Sequence, residues 1–169
     1  MQYLSEDNQL INIKIWKSIL SYIENYKSKN ETSGILICGS FAKGKLREGS
    51  DIDILFLQDK SEFKMELYPW DYFPIDHLQT SPEILISILN ENSDLSDTLS
   101  LSFGSHQLII EDSKFVEQII KISKQNIIDR KLSYNSPKEK APHIVDGAVY
   151  TVSKINSHYQ LLRDGTPVL

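Results

Sequence analysis

The chain has 169 residues, 40% hydrophobic and 24% charged, which is enough apolar matter to bury the core of one domain and too much to remain disordered. A formal net charge of −5 excludes the broad basic surface that extensive, sequence-blind nucleic-acid binding needs. The single cysteine, Cys38, excludes an intrachain disulfide and suits a cytoplasmic setting; no apolar run approaches membrane-spanning length and no basic-then-apolar leader is present, so no membrane association is expected.

Leu10, Ile13, Trp16, Ile19, Leu20, Ile23 and Tyr26 recur at helical spacing and predict an amphipathic helix over about residues 8–29. Gly34 opens an apolar strand, Ile35-Leu36-Ile37-Cys38, in which Cys38 reads as a small core residue. Gly39-Ser40 follows as a turn, with a helix expected from Ser40 to Lys45. Residues 51–57 form the next strand. A short helix over Ser61–Leu67 and a turn at Tyr68-Pro69-Trp70-Asp71 lead to a third strand over 73–79. Ser81, Pro82 and Glu83 start a helix that runs to Asn90. Residues 93–102 add a second helical piece, and Gln107–Ile110 a short strand after Gly104. Asp112 caps a long helix with Phe115, Val116, Ile119, Ile120, Ile127 and Ile128 along one stripe.

Ser133–Ala141 is rich in Ser, Lys and Pro and reads as a linker. A last helix is expected from Pro142 to Arg163, with Val145, Ala148, Val152, Ile155, Tyr159 and Leu162 on one face and Gly165 and Pro167 ending it. That face packs back on the domain, on a partner, or on a second copy in a homo-oligomer. The organisation expected is therefore a domain over 1–132 and an appended linker and helix over 133–169.

The chemistry concentrates at residues 39–53. Asp51 and Asp53 are two apart on a strand, so both side chains leave the same face. Two carboxylates so placed repel unless a proton or cation intervenes, and hard oxygen donors suit Mg²⁺ or Mn²⁺ rather than zinc. The Gly39-Ser40 turn offers backbone N–H groups and a hydroxyl to an anion. Lys43, Lys45 and Arg47 crowd the loop between turn and acids, where a triphosphate would lie. Ser50 enters the acid strand. His77, His106, His143 and His158 do not cluster at metal-ligand spacing and read as structural or surface residues. Tyr68, Trp70, Tyr72 and Phe73 read as the rim of a core, with base stacking as the alternative.

Gly39-Ser40, the inner Gly44, and Ser50-Asp51-Ile52-Asp53 followed by an apolar strand resemble the signature of the DNA polymerase β-like nucleotidyltransferases, most of all the small minimal nucleotidyltransferases, MNT proteins. The resemblance covers about residues 8–125 and implies an α/β (α+β) fold, a small mixed β-sheet flanked by helices. It implies a third carboxylate on a later strand, for which Asp76 in Phe73-Pro74-Ile75-Asp76-His77-Leu78 is the candidate. Asp51, Asp53 and Asp76 would then be catalytic and would bind two Mg²⁺, with Gly39, Ser40, Lys43, Arg47 and Ser50 toward the nucleotide, most readily ATP. The segment between the acid-pair strand and the third strand is shorter than in similar proteins and carries Pro69. The chain has no room for template-gripping domains, so the acceptor is expected to be a small molecule or a protein side chain. Stand-alone MNT proteins often transfer AMP to a tyrosine of a HEPN toxin partner, and this is the leading role implied. Aminoglycoside-type nucleotidyl transfer and a non-catalytic nucleotide- or partner-binding module are the alternatives.

Overall fold

A computed structural model describes residues 6–46, 49–134, 143–145, 147–155 and 158–168, and its side chains outside 6–12, 143–145, 154–155 and 158–159. The elements in chain order are α1 (Glu6–Lys27), β1 (Gly34–Cys38), α2 (Gly39–Ala42), β2 (Ile52–Leu57), β3 (Lys64–Trp70), β4 (Phe73–Thr80), α3 (Pro82–Leu89), α4 (Asp94–Ser105), β5 (Leu108–Glu111), α5 (Lys114–Asp129), β6 (His143–Val145), β7 (Ala148–Ile155), β8 (His158–Arg163) and β9 (Thr166–Pro167). Five strands form a mixed sheet in the order β3-β4-β2-β1-β5, with β2 and β4 parallel and the other pairs antiparallel.

Both faces of this sheet are covered, which is why β1 and β2 read as nearly unbroken apolar runs rather than alternating ones. Alternation nevertheless sorts the two cores. Ile35, Ile37, Ile54, Phe56, Ile75 and Phe73 face Ile15, Ile19, Tyr22 and Ile23 of α1. Leu36, Leu55, Leu57 and Leu78 face Leu85 and Leu89 of α3, Leu99 and Phe103 of α4, and Val116 and Ile119 of α5. Each fully buried side chain of this size stabilises the fold by roughly 1.5–3 kcal/mol relative to exposure. Two glycines set how closely the helices approach. A Cβ at Gly34 would lie 2.5 Å from a methyl of Val116, and one at Gly104 would lie 2.8 Å from the α5 backbone at Ser123.

Ser81 caps α3, its hydroxyl accepting the Ile84 N–H at 3.3 Å, with Pro82 in the first turn as expected. At α5 the cap is Ser113 rather than Asp112: the Ser113 hydroxyl accepts from Val116 N at 3.3 Å, while Asp112 accepts from Ser113 N. In place of the expected helix over Ser61–Leu67 the edge strand β3 begins at Lys64, and the expected turn at Tyr68–Asp71 lies two residues later, at Asp71 (φ 33) and Tyr72. Pro69 is tolerated because β3 pairs on one side only, with β4.

The larger correction concerns the C-terminus. No helix spans Pro142–Arg163; β6, β7, β8 and β9 form a second, four-stranded antiparallel sheet. Ala148, Tyr150 and Val152 are buried while Val149 is exposed, a period of two, and Leu161 joins them in the α1-side core. The apolar residues of this stretch satisfy a spacing of three or four as well as one of two, so periodicity alone misassigned it. Gly165, expected with Pro167 to end a helix, instead forms with Asp164 a two-residue hairpin turn, both residues at positive φ (81 and 49) and Arg163 paired to Thr166. Of the expected linker Ser133–Ala141, residues 135–141 lie outside the described residues, as does Pro142. Beside this shared core, the loop entering β2 is tied to the second sheet by Gly49 N–H, which donates to Val152 O at 3.0 Å.

Candidate active site

The parallel pairing of β2 with β4 sets Asp53 directly beside Asp76, and on its other flank Asp53 lies opposite Cys38 of β1. Asp51 stands just before β2 and leaves the same face as Asp53. One carboxylate oxygen from each of Asp51, Asp53 and Asp76 falls within 4.8 Å of the others, and all three residues are half-buried. Carboxylates this close hold one another's negative charge at high energy, and a divalent cation or a proton relieves it. The donor set is all oxygen and all anionic, which fits Mg²⁺ or Mn²⁺ and not a soft metal.

The turn after β1 is built against these acids. Gly39 has φ +69, and a Cβ placed on it would sit 1.8 Å from Asp53 Oδ2 and 2.7 Å from Asp53 Cγ. Only glycine combines that backbone angle with that approach. α2 is a single turn, shorter than the Ser40–Lys45 helix expected, and Lys43 N–H closes it onto Gly39 O at 3.2 Å. The Ser40 hydroxyl donates to that of Ser50 at 3.5 Å, and Ser50 is fully buried at the entry to the acid strand.

Of the expected cations, Lys43 is half-buried with its ammonium 3.8 Å from the centroid of the Tyr134 ring. Burial, then Lys45, lowers its pKa, while Asp53 and Cys38 act to raise it. Lys45 is exposed. Arg47 lies outside the described residues. Tyr134 was not singled out by the sequence, because it stands at the edge of a polar, Pro-containing stretch; an aromatic in such a stretch was the only signal. Cys38 is buried and its thiol is pushed well up, by burial first and then by Asp53, Asp76 and Asp51, so it stays neutral and inert.

His77, one residue from Asp76, projects to the opposite face. It stacks on Phe56 (centroids 4.4 Å, 18° between planes), and its Nδ1 lies 2.8 Å from the Tyr22 hydroxyl. Burial holds its pKa down to about 4, against smaller upward pulls from Glu66 and Gln79, so the ring is neutral at physiological pH. Tyr68 and Trp70 close around Tyr22 on this side, at 6.4 and 5.1 Å between centroids, and Phe73 is buried there, which makes this aromatic group a core rim away from the acids.

A mixed sheet flanked by helices, carrying acids at the start of one strand and within its parallel neighbour beside a glycine turn, has the architecture of a nucleotidyltransferase. The chain belongs to the nucleotidyltransferase domain family, whose model matches residues 19–149 and so takes in the turn and all three acids. No curated protein matches the chain. No helix among the described residues is long and apolar enough to cross a membrane.

Proposed function

We propose that the protein transfers AMP from ATP to a hydroxyl acceptor, with Asp51, Asp53 and Asp76 as its Mg²⁺ ligands, and that the acceptor is a tyrosine of a HEPN-type toxin which the modification silences. The observation that carries the reading is the approach of the three carboxylates to within 4.8 Å of one another, directly beneath a turn where a side chain cannot be accommodated. Bound Mg²⁺ supplies Lewis-acid stabilisation of the triphosphate and lowers the pKa of the attacking hydroxyl. The remaining work falls to the chain. Gly39 and Ser40 hold the terminal phosphates through backbone N–H groups and one hydroxyl, and Lys43 and Arg47 offset their charge. Asp76 Oδ receives the acceptor's proton as its oxygen bonds to the α-phosphorus and the bond to pyrophosphate breaks. Ser50 shapes the strand entry that aims Asp51. The resemblance to the minimal nucleotidyltransferases supports the choice of acceptor.

Incubation with ATP labelled at the α-phosphate, Mg²⁺ and candidate acceptors tests the reading. Label on a HEPN-type partner, lost when its tyrosine is changed to Phe, is the result expected. Label on an aminoglycoside instead would replace the acceptor, and wild-type protein that binds ATP yet labels nothing would make it a binding module.

A further inference from the structure

Tyr134 follows α5 where the sequence shows only a polar stretch, yet its ring is placed against a charge. It lies over the Lys43 ammonium at 3.8 Å, and its hydroxyl is toward Ser102 of α4. Ser102 is itself fixed, its hydroxyl donating to Thr98 O at 3.1 Å. The tyrosine thus spans from α4 to the turn beside the acids, and Asp53 and Asp51 lie near enough to bear on its hydroxyl. The residue is 50% exposed, so burial of apolar surface does not account for its placement; its contacts do.

We infer that Tyr134 is a positioning residue for nucleotide binding, its ring holding the Lys43 ammonium at the mouth of the acid cluster to meet the polyphosphate of the incoming nucleotide. The inference rests on the nucleotidyl-transfer reading above. A lysine chain has many rotamers, and Asp53 draws the Lys43 charge toward itself while Lys45 repels it. Drawn onto Asp53, the ammonium would occupy a carboxylate that the cation needs. The face of a neutral ring attracts the ammonium without competing for the acids. Tyr134 thereby keeps one positive charge available to the phosphates.

ATP titrations of wild type, Tyr134→Leu and Tyr134→Phe, each with Mg²⁺ and with EDTA, test this. Tyr134→Leu should bind ATP about three- to tenfold more weakly, the range of a partly exposed cation–π contact, with KM for ATP rising more than kcat falls. Tyr134→Phe keeps the ring face and should recover most of that loss. In NMR spectra, the Lys43 ε-methylene protons should show a ring-current shift in wild type and Tyr134→Phe that collapses in Tyr134→Leu. Wild-type affinity in Tyr134→Leu, or equal weakening in both variants, overturns the inference while leaving the transfer reading intact. Failure of the wild type itself to bind ATP overturns both.

Discussion

Asp76 and His77 are neighbours on β4 that live in opposite worlds. Asp76 faces two other carboxylates at the sheet's polar end, where charge is concentrated and a cation is invited. His77 faces Phe56, Tyr22, Tyr26 and Tyr68, where burial strips the ring of its charge. One face of the strand gathers carboxylates that could hold a metal ion. The other is arranged for stability. The same strand alternation that built the core therefore divides a candidate metal site from a buried aromatic cluster between adjacent residues.

The largest expected break in this contrast is at the acids. Asp51→Asn or Asp53→Asn should lower nucleotidyl transfer by roughly a hundredfold or more while leaving the melting temperature unchanged or raised, because removing one of the repelling charges relaxes the metal-free site. Labelled-ATP assays paired with thermal melts read both, and near-normal transfer in either variant would sink the two-metal reading. Next is Gly39→Val, which sets a side chain against Asp53 and strains a residue at φ +69. Transfer should fall with the acids' alignment, and stability should drop by about 1–3 kcal/mol, seen in urea unfolding.

On the His77 face the test is pH. The folded pKa of His77 is lowered to about 4 from 6.5, so between these values the unfolded chain binds a proton that the folded chain refuses. Stability from this group is whole above pH 6.5 and is lost as pH falls toward 4, by up to about 3 kcal/mol. Denaturation midpoints across that window should show a shallower decline in His77→Phe than in wild type, with transfer at neutral pH less affected than by any acid variant. The smallest effect belongs to Ser40→Ala, which removes one hydroxyl contact while the backbone donors survive. ATP binding should weaken by about 0.5–1.5 kcal/mol, measured by titration calorimetry.

The comparison of faces also explains what was legible in the chain. The acid pair, its glycine turn and the strand order around them could be read because alternation and local turn chemistry carry them, and Asp76 could be named because its apolar context marks a strand. That Asp76 lies beside Asp53 rests on pairing between distant segments, which no local pattern encodes. β3 was misread because an edge strand with a proline and mixed exposure carries no clean period. The C-terminal sheet was misread because Ala148 and Val152, four apart, fit a helical stripe and a strand's alternation alike, and Gly165 of the Asp164-Gly165 hairpin turn reads as a helix end when taken with Pro167. Tyr134 was overlooked because its meaning comes from Lys43 and Ser102, both far from it in sequence.

The hydrogen bond from Gly49 to Val152 carries a consequence for how the molecule comes into being. It joins segments roughly a hundred residues apart, so the loop that delivers Ser50 and Asp51 cannot take its final partner until the chain has been synthesised beyond β7. During synthesis the central sheet and its two cores can assemble while the entrance to the acid strand still lacks this tether. The acid-bearing end of the sheet is thus among the last regions to be completed on the ribosome, and a nascent chain halted before Val152 would hold the acids without this tether at the entrance to their strand.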